Sequence, residues 1–250
     1  MSNETKNALV FGASGGLGQA VVAKFLTDPN IDRVIAVSRN PQTEDLSAPW
    51  ISNTRLIWIQ VEDYSEDAMR EVVTGLEKYQ GCVSRVCICH GQLHTDHIWP
   101  EKRLEDIDGG AMHDIFHVNA IVPSIWLKLL HKIIAGDTPC PVAVFSARVG
   151  STGDNRLGGW YAYRASKAAL NSMLKSFAVE YARRAKNVKL IAFHPGTTDT
   201  ELSKPFQASV PKEHLFAPAF VVERLAVIME EAEIDGQLSF VDWDGKTIVW

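Results

Sequence analysis

The chain lacks a long hydrophobic run. Its longest apolar stretch, 120–130, is interrupted by Pro123, Ser124 and Lys128, whereas a helix needs about 20 apolar residues to span a bilayer. The first ten residues, MSNETKNALV, hold one lysine and no apolar stretch before a glycine-rich turn, unlike a secretory signal peptide. We therefore expect neither a membrane partner nor secretion.

The sequence also has little excess charge and few cysteines. Its 25 lysines and arginines against 30 aspartates and glutamates give a formal net charge of −5, so no cationic excess attracts the phosphates of nucleic acid. The four cysteines, Cys82, Cys87, Cys89 and Cys140, form no CxxC pair and lie in or beside apolar runs. This usage is typical of reduced thiols, so we expect a cytoplasmic protein without a nucleic-acid partner.

What the sequence does contain is ordinary globular composition, with 46% hydrophobic and 22% charged residues among 250. Short apolar runs alternate with stretches in which apolar residues recur every three or four positions. This alternation predicts a parallel sheet with helices on both faces. The predicted strands are 8–11, 34–37, 56–61, 86–89, 142–145, 188–193 and 238–241, and the predicted helices are about 17–28, 65–79, 111–135, 161–185 and 218–232.

No repeat, low-complexity tract or long linker divides the chain. We therefore predict a single α/β domain over 1–250, doubly wound around about seven strands. The least regular segments are 40–54, 91–110 and 197–217. Because loops at the carboxyl ends of parallel strands form the ligand site of such a fold, we expect 197–217 to cover a substrate.

A glycine-rich turn links the first predicted strand to the first predicted helix. Such a turn brings backbone N–H groups and a helix N-terminus against a pyrophosphate. A tight strand-to-helix turn without a ligand is the alternative. The candidate cofactor-binding residues of this turn are Gly12, Ser14, Gly15, Gly16, Leu17 and Gly18.

Ser38 and Arg39 stand at the end of the second predicted strand. An NAD-binding protein places a carboxylate there, on the ribose 2′-hydroxyl. A guanidinium is instead a rigid fork for a phosphate, and a serine hydroxyl adds no repulsion. The pair therefore favours NADP over NAD, and the alternative is that Arg39 is a solvated surface residue.

Tyr163 and Lys167 are four residues apart at the start of the fifth predicted helix, so their side chains lie on one face. A nearby ammonium favours the phenolate, and a free phenol has a pKa of about 10. The pair can thus exchange a proton, although a surface helix pair has the same spacing. Tyr161 has no lysine four residues later and is interpreted as packing or a substrate wall.

Asn119 falls on the apolar stripe of the helix predicted over 111–135. Pro123, four residues later, lacks an N–H group and crowds the carbonyl of Asn119, so that carbonyl needs another partner. The side-chain amide either acts in a site or is hydrogen-bonded within the core.

Together these motifs resemble the short-chain dehydrogenase/reductase family, and most closely its C-factor-like branch. The resemblance covers essentially the whole chain. It implies a Rossmann domain that binds NADP and exchanges a hydride with a small carbonyl or alcohol substrate, while Tyr163 exchanges the proton. Lys167 would bind the nicotinamide ribose and favour the tyrosinate, and Asn119 would position a relay water.

The same resemblance implies further contacts. Relatives commonly pair through their fourth and fifth helices, so a homodimer or homotetramer is expected. The segment Cys89-His90-Gly91 replaces the family's Asn-Asn-Ala-Gly but keeps the glycine where backbone approaches the cofactor. The cofactor residues implied by resemblance are Gln60 and Val61 near the adenine, Gly91, and Pro195, Gly196, Thr198 and Thr200 near the nicotinamide carboxamide.

The chain departs from the family at the end of the fifth predicted strand. The family's serine, which hydrogen-bonds the substrate oxygen, is matched by Ala147. Ser146 and Ser151 carry the nearest hydroxyls, but strand alternation turns Ser146 to the opposite face. We expect Ser146, Ser151 or a bound water to replace the missing donor, with a slight preference for Ser146.

Two other function classes remain at this point. A cofactor-binding signalling or regulatory protein would keep the fold and lose strong turnover, which the missing serine favours. A metal-dependent hydrolase would use histidines such as His90, His94, His97, His113 and His117. Acidic ligands and thiolates are not grouped with them, so we expect no metal and expect the loop histidines to meet solvent.

Overall fold

The structure is a computed structural model that describes residues 5–42 and 50–250. Seven parallel strands form its main sheet, in the order β3-β2-β1-β4-β5-β6-β9. These strands are β1 (Asn7–Phe11), β2 (Arg33–Ser38), β3 (Leu56–Gln60), β4 (Val83–Ile88), β5 (Cys140–Phe145), β6 (Val188–His194) and β9 (Leu238–Asp242). The predicted doubly wound, seven-stranded α/β fold is confirmed.

Six helices connect the strands and cover both faces of the sheet. They are α1 (Gly16–Thr27), α2 (Glu66–Gly75), α3 (Gly109–Phe116), α4 (Val122–Ile134), α5 (Tyr161–Arg184) and α6 (Pro218–Glu230). Val22 of α1 and Val222 of α6 pack in one hydrophobic core. Val72 of α2, Leu127 of α4 and Leu174 of α5 pack in a second core on the opposite face.

The strand order reverses between β1 and β4, because β2 leads away from β1 on one side and β4 pairs with it on the other. In open parallel sheets, ligands bind at the carboxyl ends of the strands beside this reversal. The loops that follow β1, β4, β5 and β6 all emerge at that edge. The fold thus collects at one place the chain segments that carry the sequence motifs.

The helix predicted over 111–135 is divided in the structure. Residues His117–Ile121 form a π-helical turn between α3 and α4, in which the Val122 N–H donates to the His117 carbonyl. Pro123 follows at once and has no N–H to donate. A wider turn is a common response to such a missing donor, and Asn119 lies inside it.

Segment 197–217 contains more structure than its sequence indicates. It holds the short parallel pair β7 (Thr197–Thr198) and β8 (Leu215–Phe216) and two 3₁₀ turns, Lys204–Ser209 and Lys212–His214. Within the described part of the chain, no helix is long and apolar enough to cross a membrane.

Candidate active site

A cavity of about 960 Å³ opens at the carboxyl edge of the sheet. It is lined by residues from the glycine turn, from the ends of β4, β5 and β6, from α5 and from segment 197–217. Of the candidate residues, those lining it are Gly15, Gly16, Leu17, Gly18, Gly91, Ser146, Tyr163, Lys167, Pro195, Gly196, Thr198 and Thr200. Those outside its lining are Gly12, Ser14, Ser38, Arg39, Gln60, Val61 and Asn119.

The glycine turn is built so that only glycine fits at two positions. Gly12 has a φ of +75°, and a Cβ on Gly18 would lie 2.2 Å from the Gly12 carbonyl oxygen. Gly15 precedes α1 without a side-chain cap, and the first turn of α1 has no acidic residue. The N–H groups of that turn are therefore available to an anion such as a pyrophosphate.

The ends of β2 and β3 form a polar corner beside the glycine turn. The Ser38 hydroxyl donates to the Ser14 hydroxyl at 2.6 Å, and the Gln60 amide donates to the Arg39 carbonyl at 3.0 Å. The exposed Arg39 guanidinium lies 4.9 Å from the centre of the Tyr64 ring and forms no ion pair with a carboxylate of the described residues. This corner can accept a phosphate.

Val61 lies directly after β3. β3 ends at Gln60, and the Val61 side chain is buried in the hydrophobic core. Its N–H donates to the Ser38 carbonyl at 2.9 Å. The residue thus fixes the polar corner through its backbone and core packing.

Lys167 is a buried cation with few partners. Its side chain is 2% exposed, and Nζ donates to the Phe145 carbonyl at 2.8 Å. Burial lowers the pKa of this ammonium to about 7. A Cβ on Gly91 would lie 3.7 Å from Nζ, so a side chain at that position would narrow the space beside the ammonium. Among the described residues no carboxylate pairs with Lys167, which leaves donors for ribose hydroxyls.

Tyr163 lies one helical turn before Lys167 on α5 and lines the same cavity. Burial raises the pKa of its phenol to about 12. The phenol is therefore protonated near neutral pH, the form that donates a proton. Its hydroxyl forms no hydrogen bond with the residues that the structure describes, so it is free to meet a substrate oxygen.

The Asn119 side chain is fully buried, and both its nitrogen and its oxygen are hydrogen-bonded. Its amide nitrogen donates to the Gln92 carbonyl at 2.8 Å and to the Ser166 hydroxyl at 3.0 Å, and its oxygen accepts the Gln92 N–H at 2.7 Å. These bonds tie the loop after β4 to α5. The amide thus holds the Lys167 helix against the cavity edge.

The two candidate serines differ in position. The Ser146 hydroxyl donates to the Asn171 amide oxygen at 2.6 Å, and Asn171 is one helical turn beyond Lys167. Ser151 is buried outside the cavity lining, where its hydroxyl accepts the Asp154 N–H at 3.0 Å. Ala147, in the family's serine position, lines the cavity.

The turn after β6 meets the glycine turn across the cavity. Gly196 has a φ of +72°, and a Cβ there would lie 2.7 Å from the Phe216 ring. A Cβ on Gly16 would lie 2.9 Å from the Thr200 methyl group. The absence of side chains at Gly16 and Gly196 thus lets this turn pack directly against α1 and the Phe216 ring at the cavity edge.

His90 corrects the expectation that the loop histidines meet solvent. It is buried, its Nε2 accepts the Trp126 indole N–H at 3.0 Å, and its ring contacts Tyr64 edge to face. Burial lowers its pKa to about 3, so the ring is neutral. No group of three or more histidines, cysteines or carboxylates that could hold a metal ion occurs within 5–42 and 50–250.

Sequence reasoning missed a group of aromatic side chains at the mouth of the cavity, which we call the aromatic wall. It consists of His94, Trp99, Trp160 and Phe206. Trp99 and Phe206 fall in the irregular segments 91–110 and 197–217. The sequence therefore shows an aromatic residue in each of these two irregular segments. The contact between Trp99 and Phe206 depends on the fold and could not be predicted.

Comparisons with known proteins agree with this arrangement. A model of the family described as short chain dehydrogenase matches residues 6–210. The chain is 22% identical over 253 residues to a benzil reductase of Bacillus cereus, covering 94% of this chain and 98% of that protein. It is 31% identical over 150 residues to the C-signal protein of Myxococcus xanthus, covering 59% of this chain and 83% of that protein.

The fold is shared with solved structures. A short-chain dehydrogenase/reductase from Burkholderia multivorans, crystallised with NADP, superposes with a TM-score of 0.81 at 22% identity, covering 99% of this chain and all of that one. The family match spans the glycine turn, Asn119, Tyr163 and Lys167 together. The expected resemblance is thereby confirmed, and the chain belongs to the short-chain dehydrogenase family of oxidoreductases.

Proposed function

We propose that this protein is an NADP-dependent oxidoreductase that transfers a hydride between the nicotinamide and a small carbonyl or alcohol substrate. The observation that carries the proposal is the buried Lys167 ammonium, which has one hydrogen bond and lies one helical turn from the Tyr163 phenol. Both side chains line the cavity that the glycine turn borders. Burial without a carboxylate partner disfavours the charged ammonium, and ribose hydroxyls bound to it would offset part of that cost.

The cofactor assignment depends on the glycine turn and the polar corner. The free N–H groups at the start of α1 would bind the pyrophosphate, and the Arg39 guanidinium would bind the 2′-phosphate as a charge-assisted donor beside the Ser38 hydroxyl. NADP in the Burkholderia multivorans structure supports this choice. The adenine would lie near Gln60 and Val61, and the nicotinamide near Gly91 and the turn of Pro195, Gly196, Thr198 and Thr200.

In the reductive direction, the chemistry that bound NADPH would supply is hydride donation to the carbonyl carbon. Tyr163 donates its phenolic proton to the carbonyl oxygen as the C–H bond forms, which yields the alcohol and a tyrosinate. Lys167 stabilises that tyrosinate and binds the ribose hydroxyls. Asn119 holds α5 against the loop after β4, and its backbone carbonyl would position a relay water that returns the proton.

The second hydrogen-bond donor to the substrate oxygen, beside Tyr163, is proposed to be Ser146 or a bound water. In its present hydrogen bond the Ser146 hydroxyl donates to Asn171, so it can only accept from another group. The Asn171 amide nitrogen has no partner among the described residues. A flipped Asn171 amide would donate to Ser146 and free the serine proton for the substrate.

A second candidate function is that of a cofactor-binding signalling or regulatory protein. Ala147 places a methyl group in the cavity where the family has a hydroxyl, and part of the chain is similar to the C-signal protein. Such a protein would bind NADPH and leave it unoxidised. Single-turnover absorbance of bound NADPH with aldehydes, ketones and quinones separates the two functions, because only the oxidoreductase consumes the reduced cofactor.

We propose that the chain acts as one cofactor-binding domain, with segment 197–217 over the substrate, in a homodimer or homotetramer. Exposed apolar side chains along α4 and α5 support the assembly: Ile121 in the turn before α4, and Met173 and Val179 on α5. Sedimentation equilibrium measures its size. The four free thiols support a cytoplasmic location, and the net charge of −5 favours neither a nucleic-acid nor a membrane partner.

A further inference from the structure

The aromatic wall stands directly beside the proposed proton donor. His94 and Trp99 stack with ring centroids 5.4 Å apart and an interplanar angle of 18°. Phe206 lies edge to face against both of them and against Trp160, at 5.3 Å from the Trp160 centroid. Trp160 in turn lies 6.2 Å from the Tyr163 ring. The rings form an unbroken series from the cavity mouth to the phenol.

Trp160 occupies a backbone conformation that its residue type disfavours. Its φ of +51° and ψ of +43° are left-handed, and within the described ranges it is the sole residue other than glycine with a positive φ. Gly158 and Gly159 before it also have positive φ angles. Glycine or asparagine is the usual choice in such a position, so a tryptophan there needs a compensating interaction.

Buried Glu101 holds this strained residue and the start of α5 in place. The Trp160 N–H donates to the Glu101 carbonyl at 2.6 Å, and both carboxylate oxygens of Glu101 lie 3.2 Å from the Ala162 N–H at the start of α5. Glu101 is itself buried. The Trp160 backbone is thus fixed relative to α5, the same helix that carries Tyr163.

The wall offers aromatic faces to a ligand. Trp99 is 58% exposed and lines the cavity together with Trp160 and Phe206. Exposed aromatic side chains that converge on a cavity are stabilised when a ligand buries their apolar surface. An aromatic ligand can do this through stacked or edge-to-face contacts. The remaining apolar lining of this part of the cavity includes Leu93 and Leu202.

From this geometry we infer that the substrate is an aromatic carbonyl compound whose carbonyl group is attached directly to the ring. This inference rests on the proposed function and names its substrate class. A ring packed on the cavity side of Trp160 lies next to Tyr163, so a directly attached carbonyl oxygen reaches the phenolic proton. A carbonyl at the end of an alkyl chain would be carried past it. Trp160 is then a specificity-determining residue.

The test compares two ketones of similar size, acetophenone and cyclohexyl methyl ketone, by calorimetric titration into protein saturated with oxidised NADP. The oxidised cofactor cannot donate a hydride, so binding is measured apart from turnover. We expect acetophenone to bind about tenfold more tightly, as several aromatic contacts together provide. Trp160→Phe keeps the preference. Trp160→Asn suits the left-handed backbone but removes the ring, and reduces the preference to within about twofold.

The control variant is Trp250→Leu, which removes an exposed tryptophan that packs on Phe240 away from the cavity lining. It should keep the full preference. Phe206→Leu is a second test from the other side of the wall and should reduce it. Equal binding of the two ketones by the wild type overturns the inference, and so does an undiminished preference in Trp160→Asn and Phe206→Leu.

These outcomes are separable from those of the proposed function. Selective binding of acetophenone without consumption of NADPH in a parallel single-turnover experiment keeps the aromatic site and refutes the oxidoreductase. Turnover of both ketones with equal affinity keeps the oxidoreductase and refutes the aromatic site.

Discussion

Replacing Lys167 by methionine should stabilise the free protein below neutral pH. Methionine keeps a similar unbranched volume and removes a buried charge. A pKa lowered from 10.5 to about 7 corresponds to about 5 kcal/mol of unfavourable free energy for the charged ammonium in the fold. The substitution also leaves the Phe145 carbonyl without its donor, which costs about 1 to 3 kcal/mol. The net gain at about pH 6 is then roughly 2 to 4 kcal/mol.

The gain should depend on pH in a defined direction. Between about pH 7 and 10.5 the unfolded lysine binds a proton that the folded lysine has released, so the wild type becomes more stable as pH rises through this window. The methionine variant has no proton to release at this position, so its stability does not rise in this way. Its advantage over the wild type should therefore shrink by about 3 kcal/mol between about pH 6 and pH 9, because each pH unit within the window contributes about 1.4 kcal/mol.

Urea denaturation followed by circular dichroism at both pH values, without cofactor, measures this difference. Comparing the two proteins at each pH cancels the titration of all other groups. An advantage that is the same at both pH values would refute the lowered pKa of Lys167, and a variant less stable at both would show that the ammonium contributes to the fold.

Three further outcomes are expected. Arg39→Ala should weaken NADPH binding about tenfold, as loss of a charge-assisted hydrogen bond does, and leave NADH affinity unchanged; equal loss for both cofactors in titration calorimetry would contradict its role at the 2′-phosphate. If Ser146 donates to the substrate, Ser146→Ala should lower kcat/KM by about five- to 150-fold. The kcat/KM of Ala147→Ser should then equal or exceed that of the wild type. A fall of less than threefold in kcat/KM for Ser146→Ala excludes that donor. His90 should remain neutral with its proton on Nδ1 down to about pH 4, because Trp126 donates to Nε2 and burial lowers the pKa to about 3; nitrogen chemical shifts of an imidazolium ring near pH 6 would contradict this.

Local pattern was sufficient for most of the fold. The apolar runs that predict β1, β5 and β6 are buried in the structure, because a parallel strand covered on both faces needs an apolar side chain at nearly every position. The helix over 111–135 was predicted as continuous. This prediction missed the interruption at His117–Ile121, because Pro123 is compatible both with a kinked helix and with the start of a new one.

The candidate site was predictable where a motif is local and unpredictable where it depends on contacts across the fold. Tyr163 and Lys167 share a helix face by their spacing alone. The burial of His90 requires the Trp126 indole from α4, and the strain at Trp160 requires Glu101 from another loop. For Ser146, strand alternation predicts which face of the sheet the side chain takes. Its hydrogen-bond partner, Asn171 on α5, could not be predicted from the sequence.

The central claim is that Tyr163 supplies the proton while NADPH is oxidised. The most direct measurement is a single-turnover reaction of bound NADPH with acetophenone in the wild type, in Tyr163→Phe and in the matched control Tyr161→Phe, each with its cofactor affinity measured separately. We predict that Tyr163→Phe binds NADPH within a few-fold of the wild type yet leaves it unoxidised, while Tyr161→Phe oxidises it as the wild type does. Equal loss of turnover in the two variants, with both folded by circular dichroism, would contradict the assignment of Tyr163.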